Sequence, residues 1–130
     1  MKGLFWITAI IVFLLDRLTK WLVVSFNFPH TLNTGAAFGL LEDQRLLLII
    51  ITIVVIGVLL WEYKRLVEHK ATTIFGGMIL GGALGNLYDR IFTGVVIDFI
   101  DVGFWPRFNI ADSALTVAVI GLIIVLAKKK

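Results

Sequence analysis

Two aspartates, Asp98 and Asp112, stand fourteen positions apart in a chain that is 59% hydrophobic and 16% charged. In so apolar a sequence an ionisable side chain needs a reason to be present. Two carboxylates brought within a few ångströms of each other cannot both ionise cheaply, so they share one proton and titrate as a unit. The ionised partner can take a proton from an attacking water and the protonated partner can donate to a developing oxyanion, with the roles then exchanging to protonate a leaving amine. Such chemistry needs no metal, serine or cysteine. The chain has no cysteine, which removes a thiolate nucleophile, thiolate metal ligands and any disulfide framework. His30 and His69 fall in expected loops and form no ligand cluster, so neither a metal nor another cofactor is expected. Asn33, Asn86 and Asn109 are candidates to pin a substrate backbone or an oxyanion, a contribution that reaches about 3 kcal/mol per donor.

The elements that must position these groups are helical. The charged fraction is well below the roughly 25% of a soluble domain, and the mean hydropathy is +0.98, so the composition is that of a membrane protein. A bilayer-spanning helix needs about 20 mainly apolar residues. Four such runs are present, residues 4–26, 45–61, 72–88 and 110–127, which predicts an all-α membrane protein, a four-transmembrane-helix bundle forming one domain over 1–130. The first run resembles a signal peptide, but Asp16, Arg17 and Lys20 interrupt its end and no small-residue cleavage site follows, so it is expected to be a retained helix. Lysine and arginine set the orientation. Lys2, Lys64, Arg65, Lys70 and Lys128 to Lys130 gather on one side, against Arg45, Arg90 and Arg107 on the other. Both termini are therefore expected in the cytoplasm, with Asp98 and Asp112 at the outer face.

Asp16 lies roughly 18 Å along the first helix at 1.5 Å per residue, in the outer half of the membrane. Asp16 and Lys20 share a helix face, either as a self-neutralising ion pair that snorkels outward or as support for a polar site inside the bundle. Gly77, Gly81 and Gly85 recur every four residues, flanked by Gly76 and Gly82, a stripe that lets neighbouring backbones touch. It ends in Asn86, Asp89 and Arg90, of which Asn86 and Arg90 share a face directed at the outer cleft. Val95 to Ile100 reads as a short extended segment carrying Asp98. Phe99, Phe104, Trp105 and Phe108 suit an interfacial aromatic belt, and anchoring is the expected role for most of them. Asn109 and Asp112 lie three apart on the first turn of the last helix, where either type could also serve as an N-cap.

Five ordered segments carry a resemblance: Asp16-Arg-Leu-Thr-Lys20, Asn33-Thr-Gly-Ala-Ala-Phe38, Gly81-Gly-Ala-Leu-Gly-Asn-Leu-Tyr-Asp-Arg90, Val95-Val-Ile-Asp-Phe-Ile100 and Phe108-Asn-Ile-Ala-Asp-Ser113. Together they resemble the motifs of lipoprotein signal peptidase, signal peptidase II. The resemblance implies an aspartic endopeptidase of the bacterial inner membrane that removes the signal peptide from diacylglyceryl-modified prolipoproteins. It implies that Asp98 and Asp112 are the catalytic pair, and that Asp16, Lys20, Asn33, Asn86, Arg90 and Asn109 shape the site and hold substrate. It further implies a small extracytoplasmic β/loop element, membrane lipids and lipid-modified precursors as partners, no nucleic acid, a monomer, and inhibition by the cyclic peptide globomycin. The outer loop 25–44 and the segment between the two aspartates are shorter than in many members, where they build a β-cradle and a lid helix. Asp101, three residues after Asp98, is expected to be an interfacial charge, and Asp89 to pair with a neighbouring polar group. A small proton-coupled transporter would also place aspartates and a lysine among four helices, but its path would be polar throughout, whereas here the cytoplasmic halves are hydrocarbon. A membrane assembly factor would explain glycines and aromatics but not three asparagines and two carboxylates on one face.

Overall fold

A computed structural model describes residues 1–36 and 39–130; Ala37 and Phe38, the end of the Asn33–Phe38 motif, lie outside the described residues. In chain order the elements are α1 (Lys2–Ser25), β1 (Thr31–Asn33), α2 (Arg45–Trp61), α3 (Tyr63–Leu66), α4 (Lys70–Phe92), β2 (Val96–Asp98) and α5 (Ile110–Lys128). Helix α4 is the axis of the bundle, packing on α1, α2 and α5.

Its glycines explain how. A methyl group at Gly77 would lie 2.6 Å from the Phe5 carbonyl oxygen, and one at Gly81 would lie 2.5 Å from that of Ala9. One turn further, a methyl at Gly85 would run into the Asp16 carboxylate. The stripe is thus the seam with α1, while Gly82 faces Ala111 and Leu115 of α5. Bare backbone on α4 brings both neighbours close enough for their polar side chains to reach across.

The interior has two storeys. Toward the start of α1, an apolar core gathers Phe5, Ala9, Leu59, Leu66, Ile79, Leu80 and Ala118, with Tyr63 and Phe75 packed against it. Toward the other end the buried groups are Asp16, Lys20, Asn86, Asp89, Asp98 and Asn109. The outward faces are the reverse: Ile10, Leu14 and Leu18 of α1, Ile50, Val54 and Val58 of α2, and Val117, Ile120 and Ile124 of α5 are all exposed. Polar groups within and hydrocarbon without is the arrangement a bilayer selects. Among the described residues, Ile110–Lys128 alone is long and apolar enough by itself to cross a membrane; α2 is apolar but has 17 residues. Helix α1 carries four charges within its length, and glycines and threonines dilute the apolarity of α4.

Two departures from the expected boundaries matter. The helix expected over 72–88 runs from Lys70 to Phe92, because Asp89 and Arg90 continue its hydrogen bonding while their side chains turn to polar partners. It ends where Thr93 and Gly94 both donate backbone N–H to the Asp89 carbonyl, with Gly94 at φ 81°, a conformation that glycine adopts without strain. The small β element is present as the pair β1 and β2, whereas the short helix α3 was not expected; Tyr63–Leu66 and Thr31–Asn33 are each too short for a periodic signal to place them.

Strand β1 pairs antiparallel with β2 in the register Thr31 to Asp98, Leu32 to Ile97 and Asn33 to Val96, so the extended segment expected around Asp98 has its partner in the outer loop. Beyond β2 the chain folds back on itself. Ile100 and Phe108 exchange backbone hydrogen bonds of 2.8 and 3.2 Å, and Phe99 donates to the Phe108 carbonyl at 3.0 Å. That closure sets Asn109 beside β2.

Candidate active site

The closure turns the fourteen-residue separation of the aspartates into proximity. Asn109 is the N-cap of α5, and Asp112 is three residues on; the Asp112 backbone N–H donates to Asn109 Oδ1 at 2.8 Å, and the Asn109 backbone N–H donates to Asp112 Oδ2 at 3.2 Å. This reciprocal capping box shows that capping and a place in the site are not alternatives for these two residues. Asn109 Nδ2 donates in turn to Asp98 Oδ1 at 2.8 Å. One buried asparagine therefore holds both carboxylates.

Each carboxylate has a second donor. Asn33 Nδ2 donates to Asp98 Oδ2 at 3.0 Å, a contact set by the sheet register, since Asn33 is the diagonal neighbour of Asp98 on the same face. The Asn33 amide also donates to the Ala36 carbonyl at 2.9 Å and accepts from the Gly35 N–H at 2.8 Å, which fixes its orientation. Asn86 Nδ2 donates to Asp112 Oδ1 at 3.0 Å. Asn86 Oδ1 accepts from Asn109 Nδ2 at 3.1 Å and from the Lys20 ammonium at 3.1 Å. The three asparagines expected at the outer face thus converge on the two aspartates.

Behind them lies a buried ionic cluster. Lys20 Nζ is 2.8 Å from Asp16 Oδ2 and 2.8 Å from Asp89 Oδ2, and Asp16 Oδ1 accepts the backbone N–H of Ala111 at 2.9 Å. The pair does not snorkel outward but is buried within the polar cluster: Asp16 and Lys20 are 0% and 1% exposed. The stripe of glycines leaves room for them, and a half-desolvated pair at the surface would forgo three polar contacts, to Asp89, Asn86 and the Ala111 N–H. Asp89, expected to pair nearby, is held by Lys20 and by Arg17 at 2.7 Å. Arg17 was not foreseen. It is adjacent to Asp16 and so off that helix face, yet its guanidinium reaches Asp89 and lies 4.4 Å from the centre of the Tyr88 ring.

Arg90 and Asn86, expected to share the face toward the outer cleft, take different hydrogen-bond partners there. Asn86 reaches Asp112, whereas Arg90 Nη2 donates to the Gly35 carbonyl at 3.3 Å, holding the loop after β1. Asp101 is exposed, accepts the Gly103 N–H at 2.9 Å and lies 3.6 Å from Arg107, outside the cluster as expected. Among the described residues no three His, Cys, Asp or Glu side chains converge as a metal site.

Burial, and then the charge of Asp112, push the Asp98 carboxyl up to about 6, against the opposing pull of the Asn33 and Asn109 hydrogen bonds and of Lys20. A carboxyl that exchanges its proton near neutrality beside a second carboxyl is equipped for general acid–base work. A cleft of about 420 Å³ opens onto Asp112 and is walled by Phe104, Trp105, Phe108, Ser113 and Thr116. Three of the four aromatic residues expected to anchor the interface thus also line the approach to the site.

The model of the family described as signal peptidase (SPase) II matches residues 8–128. The lipoprotein signal peptidase of Halothermothrix orenii is 41% identical over 93% of this chain and 93% of its own length. That of Shouchella clausii is 40% identical over 88% and 86%. A bacterial membrane enzyme structure obtained by the in meso method at 2.3 Å superposes with a TM-score of 0.88 at 32% identity, covering 97% of this chain and 88% of that one. A second, at 1.9 Å, gives 0.86 at 32% identity over 98% and 95%. The family model's match takes in every residue of the polar cluster, and this bacterial membrane protein belongs to the signal peptidase II family of peptidases.

Proposed function

We propose that the chain is an aspartic endopeptidase that cleaves the signal peptide from diacylglyceryl-modified prolipoproteins, with Asp98 and Asp112 as the catalytic pair. The observation that carries the reading is the Asn109 bridge, in which one side chain and its own backbone N–H hold both carboxylates. Asp98 keeps the shared proton, as its raised titration near 6 favours. Asp112 is the base, placed at the N-terminus of α5, where a negative charge is stabilised. Asp112 takes a proton from water as the oxygen attacks the scissile carbonyl, and Asp98 gives its proton to the carbonyl oxygen. Collapse of the tetrahedral intermediate returns a proton to Asp98 and delivers the one on Asp112 to the leaving amine.

The four long helices, of 24, 17, 23 and 19 residues, span the bilayer as one domain over residues 1–130. At 1.5 Å per residue they measure roughly 26 to 36 Å against a hydrocarbon core of about 30 Å. The charges that disqualify α1 by composition are those that turn inward. Lysine-rich ends place both termini in the cytoplasm and the aspartates at the outer face. A lipid-modified signal peptide already lies in the bilayer, and the apolar cleft beside Asp112 offers it a sideways approach. The protein acts as a monomer, with membrane lipids and lipidated precursors as its partners, and needs no cofactor.

The test is cleavage of a diacylglyceryl-modified precursor by purified protein. Asp98→Asn and Asp112→Asn are each expected to lower kcat by at least a thousandfold while the fold persists. A folded variant that retained a rate within a few-fold of the parent would remove that residue from the pair.

A further inference from the structure

A threonine within a helix can turn its hydroxyl back on the preceding turn, where a carbonyl accepts it. Thr8 donates to the Leu4 carbonyl at 2.7 Å, Thr19 to Leu15 at 2.7 Å, Thr52 to Leu48 at 2.8 Å, and Thr72 and Thr73 to His69 at 3.0 and 2.8 Å. Ser113 of α5 does the same, donating to the Asn109 carbonyl at 3.0 Å. Among the described residues, Thr116 is the one helical threonine whose hydroxyl makes no hydrogen bond. It follows Asp112 by four residues, one turn of about 5.4 Å along the same face of α5, and both residues line the cleft of about 420 Å³.

That cleft lies on the side of α5 turned away from the bundle. Ala111, Ala114 and Ala118 form the buried face of the helix, whereas Thr116 and Val117 are exposed. Phe104, Trp105 and Phe108 wall the cleft, and Val117, Ile120 and Ile124 continue the exposed apolar face along the helix. With α5 crossing the bilayer, this surface meets hydrocarbon, where a hydroxyl without a partner is costly. An apolar trough thus leads from Asp112 into the membrane and holds one uncommitted hydroxyl.

The polar side chains of the cleft define what can fill it. Asp112 belongs to the reacting pair, and the Ser113 hydroxyl is committed to Asn109. The others are Trp105, Arg107 and Thr116, and an indole or a guanidinium carries donors only. A peptide segment there would bring N–H groups as well as carbonyls, and among these three side chains its N–H groups would meet only the Thr116 oxygen as acceptor. An ester brings acceptors alone. A glycerol diester with two acyl chains matches both parts of the trough, with carbonyls for the donors and methylenes for the apolar walls. A precursor whose lipid-bearing residue adjoins the scissile bond sets those carbonyls a few bonds from Asp98 and Asp112, within reach of Thr116 one turn away.

We propose that Thr116 is a specificity-determining residue: its hydroxyl donates to an ester carbonyl of the substrate's diacylglyceryl group, whose acyl chains leave the cleft along Val117 and Ile120. The inference rests on the aspartic peptidase reading above.

The experiment compares two precursor peptides, one carrying the diacylglyceryl group and the other its dialkyl analogue, in which ether links replace the esters and no carbonyl remains. Values of kcat and KM are measured for the parent, for Thr116→Val, which keeps the branched shape, and for Thr116→Ser, which keeps the hydroxyl. Thermal unfolding checks the fold. A contact remote from the reacting atoms is made equally in the ground and transition states, so its loss appears in KM. Thr116→Val is expected to raise KM for the diester about fivefold, the size of one hydrogen bond between neutral groups, with kcat within about twofold. KM for the diether should stay within about twofold, and Thr116→Ser should match the parent on both peptides. A Thr116→Val enzyme with unchanged KM on the diester, or with KM raised equally on both peptides, would overturn the proposal. The same ratios are expected in the Kd of each peptide for the Asp98→Asn and Asp98→Asn/Thr116→Val proteins, read by fluorescence anisotropy. Cleavage that survived both Asp98→Asn and Asp112→Asn would defeat the peptidase reading, whereas the Kd comparison tests the ester contact by itself, so the two failures are distinct.

Discussion

Replacing Asn33 by alanine isolates one hydrogen bond to the reacting pair. Asn33 Nδ2 donates to Asp98 Oδ2 at 3.0 Å and so favours the ionised form of a carboxyl that burial and Asp112 have already pushed up to about 6. Loss of a donor to a carboxylate disfavours ionisation, so the titration must move further up. A hydrogen bond to a charged group contributes about 1.5 to 3 kcal/mol; Asn33 is half-buried, and the low end, about 1.5 kcal/mol, corresponds to roughly one pKa unit. The alkaline limb of kcat/KM, set by the pair as a unit, should move from about 6 toward about 7. Lost orientation of Asp98 lowers the plateau by about tenfold for a similar free energy. The two effects oppose each other above the limb. The variant should therefore run roughly tenfold below the parent at pH 5 and approach parity near pH 8. The assay is kcat/KM on a diacylglyceryl-modified precursor peptide between pH 4.5 and 8.5, with the unfolding midpoint confirming that the Asn33 contacts to Gly35 and Ala36 are not needed for the fold. A ratio of variant to parent that stays constant with pH, or that worsens toward alkaline pH, would refute the reasoning.

The same carboxyl makes stability depend on pH. Because Asp98 titrates near 6 in the folded chain rather than near 3.8, the native state holds its proton more tightly, and stability falls as pH rises between those values and levels off above them. Asp98→Asn should therefore raise stability by about 1 to 2 kcal/mol at pH 7.5, after allowing for screening at the cleft, and leave it unchanged at pH 3.5; equal unfolding midpoints at both pH values would contradict this. Gly81→Ala sets a methyl 2.5 Å from the Ala9 carbonyl oxygen and 2.8 Å from the Val12 Cβ. Overpacking at that seam should cost about 1 to 3 kcal/mol, more than the roughly 1 kcal/mol an alanine gains over glycine in a helix. Gly57→Ala, with nothing within 4 Å, is the control, and Gly81→Ala unfolding at or above the midpoint of Gly57→Ala would show that the seam can open without loss.

Much of this molecule was already legible in its residue types. Asp98 and Asp112 were conspicuous because an ionised carboxylate is expensive in an apolar chain, and the glycines at every fourth position announced a close helix contact. The helices themselves followed from apolar runs, and the segment around Asp98 from its β-branched residues. The tertiary structure decided what these groups do to one another. Nothing local marks Thr31–Asn33 as the partner of Val96–Asp98, because three residues carry too little periodicity and the pairing joins positions 65 apart. Nothing local separates a snorkelling Asp16–Lys20 pair from a buried one, since the outcome depends on acceptors supplied by Asn86 and Asp89 from another helix. Arg17, one residue off the expected face, entered the cluster only because its long stem could reach Asp89. Apolar patterning is a property of single segments and survives in the sequence, whereas the satisfaction of buried polar groups is a property of several segments at once, and that is where the site was decided.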